Sequence, residues 1–566
     1  MTEIVVPATT GDIGPRIRYI DVIAILLVGV LALVTFSKNM FIDNAVVFHD
    51  EYVYKVSADK QLDQSIVVGK QLAPQVPNRL FLTVYGYGSY FGSNYYVFAQ
   101  LLNVTLWAAG LLALYRVAAY SGLSDARSLA FLGAAALLPL SAYTKYFMPE
   151  SMFFAMFCGS VYALMVGLQK RVNAPIFVAG LIVGLMYFVK PHALALVIAN
   201  AWFLTFVRGG VRLNILFGAG VLLAIAMGKL ALPMPADDSG VGLGVYGQML
   251  DTLSANLTVY GGQLAELSKD FFRVAAGHIF FLSTAFGLSF FVAISVLVPR
   301  LGLCDRSVDV PAGSRLTLLY LMATSIVLVS MAVVFSVLAG EFGRVHSRYY
   351  FFVYPIALLV LFHLPSVRLT RAGKVVGLMV VAATAASMAL FAYDYSEILP
   401  ISLVSDSPEW GFVFLSKQIF FAAMVAFVIT GALAVLRQDK VGFLIAVICI
   451  TSVLSSIDVA MKQKGIFRGV FVTGREAVAV EEIVGRDQMD RAVVVGENRD
   501  VLSKFLFYLT SAPSVEQLPA GSNLDQVAEK YPQTTRIIVI SEGYSFPPLF
   551  QCMSDLPRIR ICSIAR

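Results

Sequence analysis

The sequence predicts an all-α polytopic membrane protein of about thirteen transmembrane helices, carrying a small α/β domain outside the bilayer at its C-terminal end. Three observations predict this. Of 566 residues, 58% are hydrophobic and only 14% charged, with a mean hydropathy of +0.77; a soluble chain of this length needs more charge to cover its surface. Apolar runs of bilayer-spanning length recur along the chain. After residue 459 the hydropathy falls, and short β-branched runs begin to alternate with amphipathic stretches.

Taken in order, spans are expected near residues 19–37, 95–119, 128–143, 151–168, 175–189, 191–207, 213–232, 274–298, 316–338, 350–365, 375–393, 411–436 and 441–458. The first, "YIDVIAILLVGVLALVTF" (19–36), reads as an anchor, because no small-residue cleavage site follows it. Residues 1–459 thus form the membrane domain, with outer loops at 39–94 and 233–273. The second loop is glycine-rich and then amphipathic, a pattern that predicts a helix lying on the membrane surface. Residues 460–566 form the α/β domain, with strands at "RAVVVGEN" and "RIIVISEG" and helices at "RDVLSKFLFYL" and "SNLDQVAEKY".

Charge orients the spans. With the N-terminus inside, the inner segments hold Arg16, Arg18, Arg116, Arg127, Lys170, Arg171, Arg208, Arg212, Arg300, Arg306, Arg315, Arg368, Arg371, Lys374, Arg437 and Lys440. The short outer turns hold only Lys145, Lys190, Arg344 and Arg348. This asymmetry predicts an N-terminus in the cytoplasm and a C-terminal domain outside it. It reads like a bacterial plasma membrane, with the outer face toward the periplasm. The net charge of +6 carries no nucleic-acid signal, since topology explains most of the basic residues. Five cysteines are too few for a disulfide framework. Cys158 and Cys449 read as small hydrophobes within spans, while Cys552 and Cys562 lie where a disulfide is permitted, and their pairing stays open.

Reactive side chains collect on the outer face. His49, Asp50 and Glu51 open the first loop in "VVFHDEYVY". "YTKYFMPESMFF" brings Lys145 and Glu150 to the next outer turn, and "YFVKPHALAL" brings Lys190 and His192 to a third. "GEFGRVHSRYYFFVYP" adds Glu341, Arg344, His346, Arg348 and Tyr349. Of five histidines, only His363 falls at the inner ends. Ionisable groups at membrane depth are costly and usually line a site or a water-filled cavity. A carboxylate can take a proton from a hydroxyl nucleophile, while lysine and arginine hold a phosphate and the charge that grows on it as it leaves. Together these predict glycosyl transfer from a lipid-linked sugar phosphate to a glycan, lipid or protein hydroxyl.

The same motifs resemble the GT-C superfamily of membrane glycosyltransferases, which includes mannosyl-, aminoarabinose and arabinofuranosyltransferases. "FHDEYVY" is similar to the acidic motif opening their first outer loop, "GLMYFVKPHALAL" to their "GL…KP" turn, and "GRVHSRYYFFVYP" to their late "RY…P" segment. The resemblance covers roughly residues 19–460 and rests on the common placement of motifs that are each weakly specific. It implies Asp50 or Glu51 as catalytic base, with Asp50 favoured, and Glu150 as the second acidic residue. It implies Lys190, Arg344 and Arg348 at the donor phosphate of a polyprenyl-phosphate sugar, with His49, His192, His346 and Tyr349 lining the substrate. It also implies inversion at the anomeric carbon, and an outer loop able to close over the donor.

Each residue has a structural reading beside the functional one. Asp50 and Glu51 could end a span and cap a helix, and Glu150, after Pro149, could simply favour a helix dipole. Lys190 could reach for the headgroups, and the tyrosines could form an interfacial belt. No organic cofactor is expected. His49, Asp50, Glu51, Glu150 and His346 could ligate Mg or Mn, but their spacing does not decide it. The rival functions are a flippase or transporter of lipid-linked sugars and a polymerase or ligase of lipid-linked glycans. A flippase needs a polar path through the membrane centre, whereas here charge sits at the outer ends.

Overall fold

The computed structural model describes residues 18–40, 48–62, 78–207, 209–232, 264–305, 307, 310–338, 346–395, 415–469, 474–489, 491–507, 509, 513–519, 521–540, 550–556 and 559–564. The chain begins with α1 (Tyr19–Met40) and continues through a long loop carrying α2 (Phe48–Leu62) and α3 (Arg79–Gly86). Then follow α4 (Tyr95–Tyr120), α5 (Asp125–Leu137), α6 (Glu150–Lys170), α7 (Asn173–Met186), α8 (Ala193–Thr205) and α9 (Gly210–Ala231). The rest of the bundle is α10 (Leu264–Leu297), α11 (Ala312–Leu338), α12 (Tyr354–His363), α13 (Arg371–Tyr395), α14 (Lys417–Leu436) and α15 (Val441–Gly469).

Within the described residues, the apolar runs read from the sequence fall on helical segments, that at 128–143 on a broken one. Among the described residues, eight helices are long and apolar enough to cross a membrane: α1, α4, α6, α9, α11, α13, α14 and α15. A ninth such unit joins α5 to the 3-10 turn Pro139–Lys145 across a 52° bend. Pro139 explains the bend, because it has no N–H for the helical ladder. Four shorter apolar helical segments also occur among the described residues: α7, α8, the Phe286–Leu297 part of α10, and Phe351–Ser366 around α12. The expected surface helix after the glycine-rich loop differs from the prediction. From Leu264 it is continuous with the next span, and the backbone leaves helical geometry at Phe286. Residues 233–263 of that loop lie outside the described residues.

Close packing fixes the pairs. Gly180 and Gly184 of α7 meet Gly220 of α9 so tightly that a Cβ would strike the facing backbone, at Phe217, Val221 and Phe177 respectively. Small residues let helices approach in this way where lipid offers no hydrophobic drive between them. That contact also sets the height of the turn after α7, because Gly228 on α9 lies against the Phe188 ring.

Polar contacts divide the loops into two ends, as the charge pattern predicts. At one end Arg18 bonds Asp125 at 3.0 Å and Arg116 bonds Asp21 at 2.9 Å. The same end holds His363, 2.8 Å from the Ser121 hydroxyl and 3.0 Å from that of Ser314. At the other end Lys145 donates to the Asn39 carbonyl at 3.1 Å, and Leu80 N donates to the Phe188 carbonyl at 2.9 Å. His278 also lies there, with Nδ1 3.0 Å from the Tyr350 hydroxyl.

The last membrane helix runs to Gly469, past the expected boundary at 460, and α16 (Gly474–Val484) opens the α/β unit. Its sheet has the order β2-β1-β3-β5-β4, from β1 (Ala492–Gly496), β2 (Ser514–Gln517), β3 (Arg536–Ile540), β4 (Phe550–Leu556) and β5 (Ile559–Ile564). The first three strands are parallel, with α17 (Arg499–Phe507) and α18 (Asp525–Lys530) as crossovers. β1 is buried along its whole length, as expected of a run that reads AVVVG without alternation. β4 and β5 form a hairpin in which Cys552 stands directly opposite Cys562, and the two are disulfide-bonded.

Candidate functional site

The site lies at the end of the bundle where α2, α3 and the C-terminal domain pack. Its floor is the turn between the bent α5 unit and α6. The backbone of this turn is held by side chains from α4. Asn103 donates to the Tyr146 carbonyl at 2.7 Å, and Tyr96 donates its hydroxyl to the Lys145 carbonyl at 2.8 Å. Asn39 at the end of α1 donates to Thr144 at 2.8 Å. Buried backbone groups outside regular structure need such partners. Tyr85 of α3 donates in turn to Asn103. Burial, and then the Glu150 carboxylate, push the Tyr85 phenol up, so it stays protonated and keeps that bond.

Glu51 is tied to this floor. It is fully buried and accepts the Phe147 N–H at 2.6 Å, with the Tyr96 hydroxyl at 3.3 Å from the same oxygen. The first acidic motif is therefore fastened three residues before Glu150, at the start of the second. Asp50 precedes Glu51 in α2; its side chain and that of His49 lie outside the described residues.

Glu150 is the first residue of α6 and is buried beside Lys190, whose ammonium lies 2.5 Å from Oε1. The other oxygen, Oε2, has no hydrogen-bond partner among the described residues. Lys190 ends the 3-10 turns that follow α7, and Pro191 stops that turn from continuing as helix. The turn is gripped by the first outer loop, since Asn78 donates to the Val189 carbonyl and Leu80 N to that of Phe188.

Lys190 then leads to the late motif. The ammonium lies 6.0 Å from the centre of the Tyr349 ring, and the Arg348 guanidinium 5.7 Å from it. His192 packs edge-on against the same ring at 5.3 Å, and His346 lies 5.6 Å from it. Neither nitrogen of the buried His192 has a hydrogen-bond partner among the described residues, and it also lies 4.8 Å from the Phe153 ring. Tyr349 is thus a hub rather than an interfacial belt residue: it is 5% exposed and gathers two cations and two imidazoles.

The described structure brings together Glu51, Glu150, Lys190, His192, His346, Arg348 and Tyr349. Arg344 and Glu341 lie outside the described residues. Sequence reasoning passed over Tyr85, Tyr96 and Asn103. Asn103 could have been found, because an amide in the middle of an apolar run is expensive unless it serves something. Among the described residues no three His, Cys, Asp or Glu side chains gather as a metal site. That set does not include His49 and Asp50, two of the five suggested ligands.

No protein-family model matches the chain, and no curated protein matches it. Among solved structures it is similar to ArnT from Cupriavidus metallidurans bound to undecaprenyl phosphate, at 12% identity and a TM-score of 0.49, covering 96% of this chain and 97% of that one. It is also similar to the arabinosyltransferase EmbB from Mycobacterium smegmatis, at 11% identity and a TM-score of 0.44, covering 84% of this chain and 44% of that one. A third is the oligosaccharyltransferase of Archaeoglobus fulgidus tethered to an acceptor peptide, at 9% identity and a TM-score of 0.41, covering 92% of this chain and 69% of that one.

Proposed function

We propose that the protein is a GT-C-type membrane glycosyltransferase that moves a sugar from a polyprenyl-phosphate carrier to a hydroxyl acceptor at the outer face of a bacterial plasma membrane. The observation that carries this reading is Lys190. It is held by the Glu150 carboxylate on one side and faces Tyr349, with Arg348 beyond it, on the other. A lysine fixed by a carboxylate in a buried turn sets a positive charge at a defined point, and the neighbouring arginine adds a second, an arrangement suited to an anion.

In this reading Asp50 is the base. It takes the proton of the acceptor hydroxyl as that oxygen bonds the anomeric carbon. The bond from that carbon to the phosphate oxygen breaks, and the electron pair leaves on the polyprenyl phosphate. Lys190 and Arg348, with Arg344, stabilise the leaving charge. One displacement inverts the anomeric centre. Glu51 is fully buried and already accepts a backbone N–H, so its part is to fix α2 and hold Asp50 in place. Glu150 orients Lys190. A Mg or Mn ion, if bound, would be held by Asp50 with other carboxylate or imidazole groups of this outer cluster and would supply positive charge for the donor phosphate; loss of transfer on chelation, restored by either metal, tests that.

Purified protein given a polyprenyl-phosphate sugar and a hydroxyl acceptor should release polyprenyl phosphate and glycosylate the acceptor. Movement of the donor across a vesicle membrane with no release of phosphate would mean a flippase instead. Turnover of only pyrophosphate-linked oligosaccharides would mean a polymerase or ligase.

A further inference from the structure

The C-terminal domain reaches into the site. Helix α17 packs on α2, the helix that carries Asp50 and Glu51. At its end, the Phe507 ring meets Tyr96 edge-on at 5.4 Å and Phe147 at 6.0 Å. These are the two residues that bond Glu51, Tyr96 through its hydroxyl and Phe147 through its N–H. Phe507 is 2% exposed, so its ring is enclosed by this contact. Two residues on, the Leu509 carbonyl accepts a hydrogen bond from Lys55 at 3.3 Å. Lys55 lies one helical turn after Glu51 on the same face of α2 and is also bonded to Asp59 at 2.9 Å. Two adjoining points of the C-terminal domain therefore grip one face of the acidic helix, one behind the partners of Glu51 and one on the next turn.

We infer that the C-terminal domain is a working part of the transferase site, with Phe507 as the positioning residue that holds the Glu51 anchor closed and so sets the attitude of Asp50. This rests on the proposed function. The physical reason is leverage. Glu51 is joined to the floor through Phe147 N–H and Tyr96, and both rings lean on Phe507. Removing the Phe507 ring opens a cavity behind them, and the rings relax into it. Asp50, the residue before Glu51, moves with the helix. The donor phosphate is held from other segments, at Lys190 and Arg348, and does not feel the change.

The test uses the full-length protein and a polyprenyl-phosphate sugar. Phe507→Ala should lower kcat per folded molecule by about ten- to a hundredfold, the range expected of a misplacement near 1 Å. The KM for the donor and the affinity for polyprenyl phosphate should stay within about twofold, by the same separation of binding from positioning. Phe507→Leu, which refills most of the space, should recover most of the rate. Lys55→Gln should act in the same direction through the second attachment. Lys530→Ala, which breaks an exposed ion pair with Glu516 on the same domain, should leave kcat unchanged. A kcat per folded molecule within twofold of wild type in both Phe507→Ala and Lys55→Gln overturns the inference, as does a loss expressed only in donor KM. If Phe507→Ala gives no folded protein, Lys55→Gln decides by the same criteria. Full activity of Asp50→Asn would sink the choice of base without touching the kcat effect of Phe507, so the two failures are separable.

Discussion

Lys190 and Glu150, forty residues apart in the sequence, form a buried ion pair with the ammonium 2.5 Å from a carboxylate oxygen. Neither side chain is more than 6% exposed. Taking both charges out of water is expensive, and their attraction returns that cost only if the geometry is good and the remaining polar atoms find partners. Glu150 Oε2 has none among the described residues. Such an arrangement is poor as a stability device and suits a site that must present a fixed cation to an anionic substrate.

Breaking the pair from one side should therefore hurt more than removing it. Glu150→Gln or Lys190→Met alone should destabilise the protein by about 3–5 kcal/mol, because each strands a buried charge or its partner. The double variant should cost clearly less than the sum of the two. Denaturation in detergent, run as a double-mutant cycle, measures the difference; additive singles would mean that the two groups are solvated and independent.

Arg348 makes a separate prediction about the donor. Arg348→Gln should weaken binding of polyprenyl phosphate by about 1.5–3 kcal/mol, the usual loss for a charge-assisted hydrogen bond. Folding should be preserved. Titration calorimetry with the lipid phosphate reads this directly, and unchanged affinity would mean that Arg348 only covers the Tyr349 ring.

The hairpin disulfide gives a prediction about stability and sidedness together. Cys552 and Cys562 are separated by 10 residues, and closing so short a loop should stabilise the domain by about 2–3 kcal/mol. Replacing both with Ser should lower the unfolding midpoint of the C-terminal domain by a matching amount. In intact cells the pair should resist thiol labelling until a reductant is added. Labelling without reductant would place the domain in a reducing compartment and reverse the expected topology.

Much of the bundle is legible in the sequence because the bilayer imposes it. Apolar length marks α1, α4 and α14 without ambiguity, and the loop charges sort the helix ends that Arg18–Asp125 and Lys145–Asn39 then join. The strand runs AVVVG and RIIVI read as buried strands for the same reason: a parallel strand covered on both faces does not alternate. The partners inside the site were not legible. That Glu51 would meet the Phe147 N–H, or that Lys145 would turn inward to Asn39 and the Tyr96 ring, depends on how α2, the end of α1 and α4 meet the turn before α6. No local pattern encodes that meeting. The docking of Phe507 depends on a domain more than 400 residues further along the chain. The cysteine pair, by contrast, is settled locally, by the register of the β4–β5 hairpin.

The most direct measurement is sugar transfer by Asp50→Asn beside wild type, with donor binding measured on the same preparations. The amide keeps the shape of the carboxylate but cannot take the acceptor's proton. The variant should bind polyprenyl-phosphate sugar within about twofold of wild type while transferring at least about a hundredfold more slowly, the scale of a lost general base. Transfer by Asp50→Asn at near wild-type rate would contradict the account, leaving the acidic pair as the end of a helix.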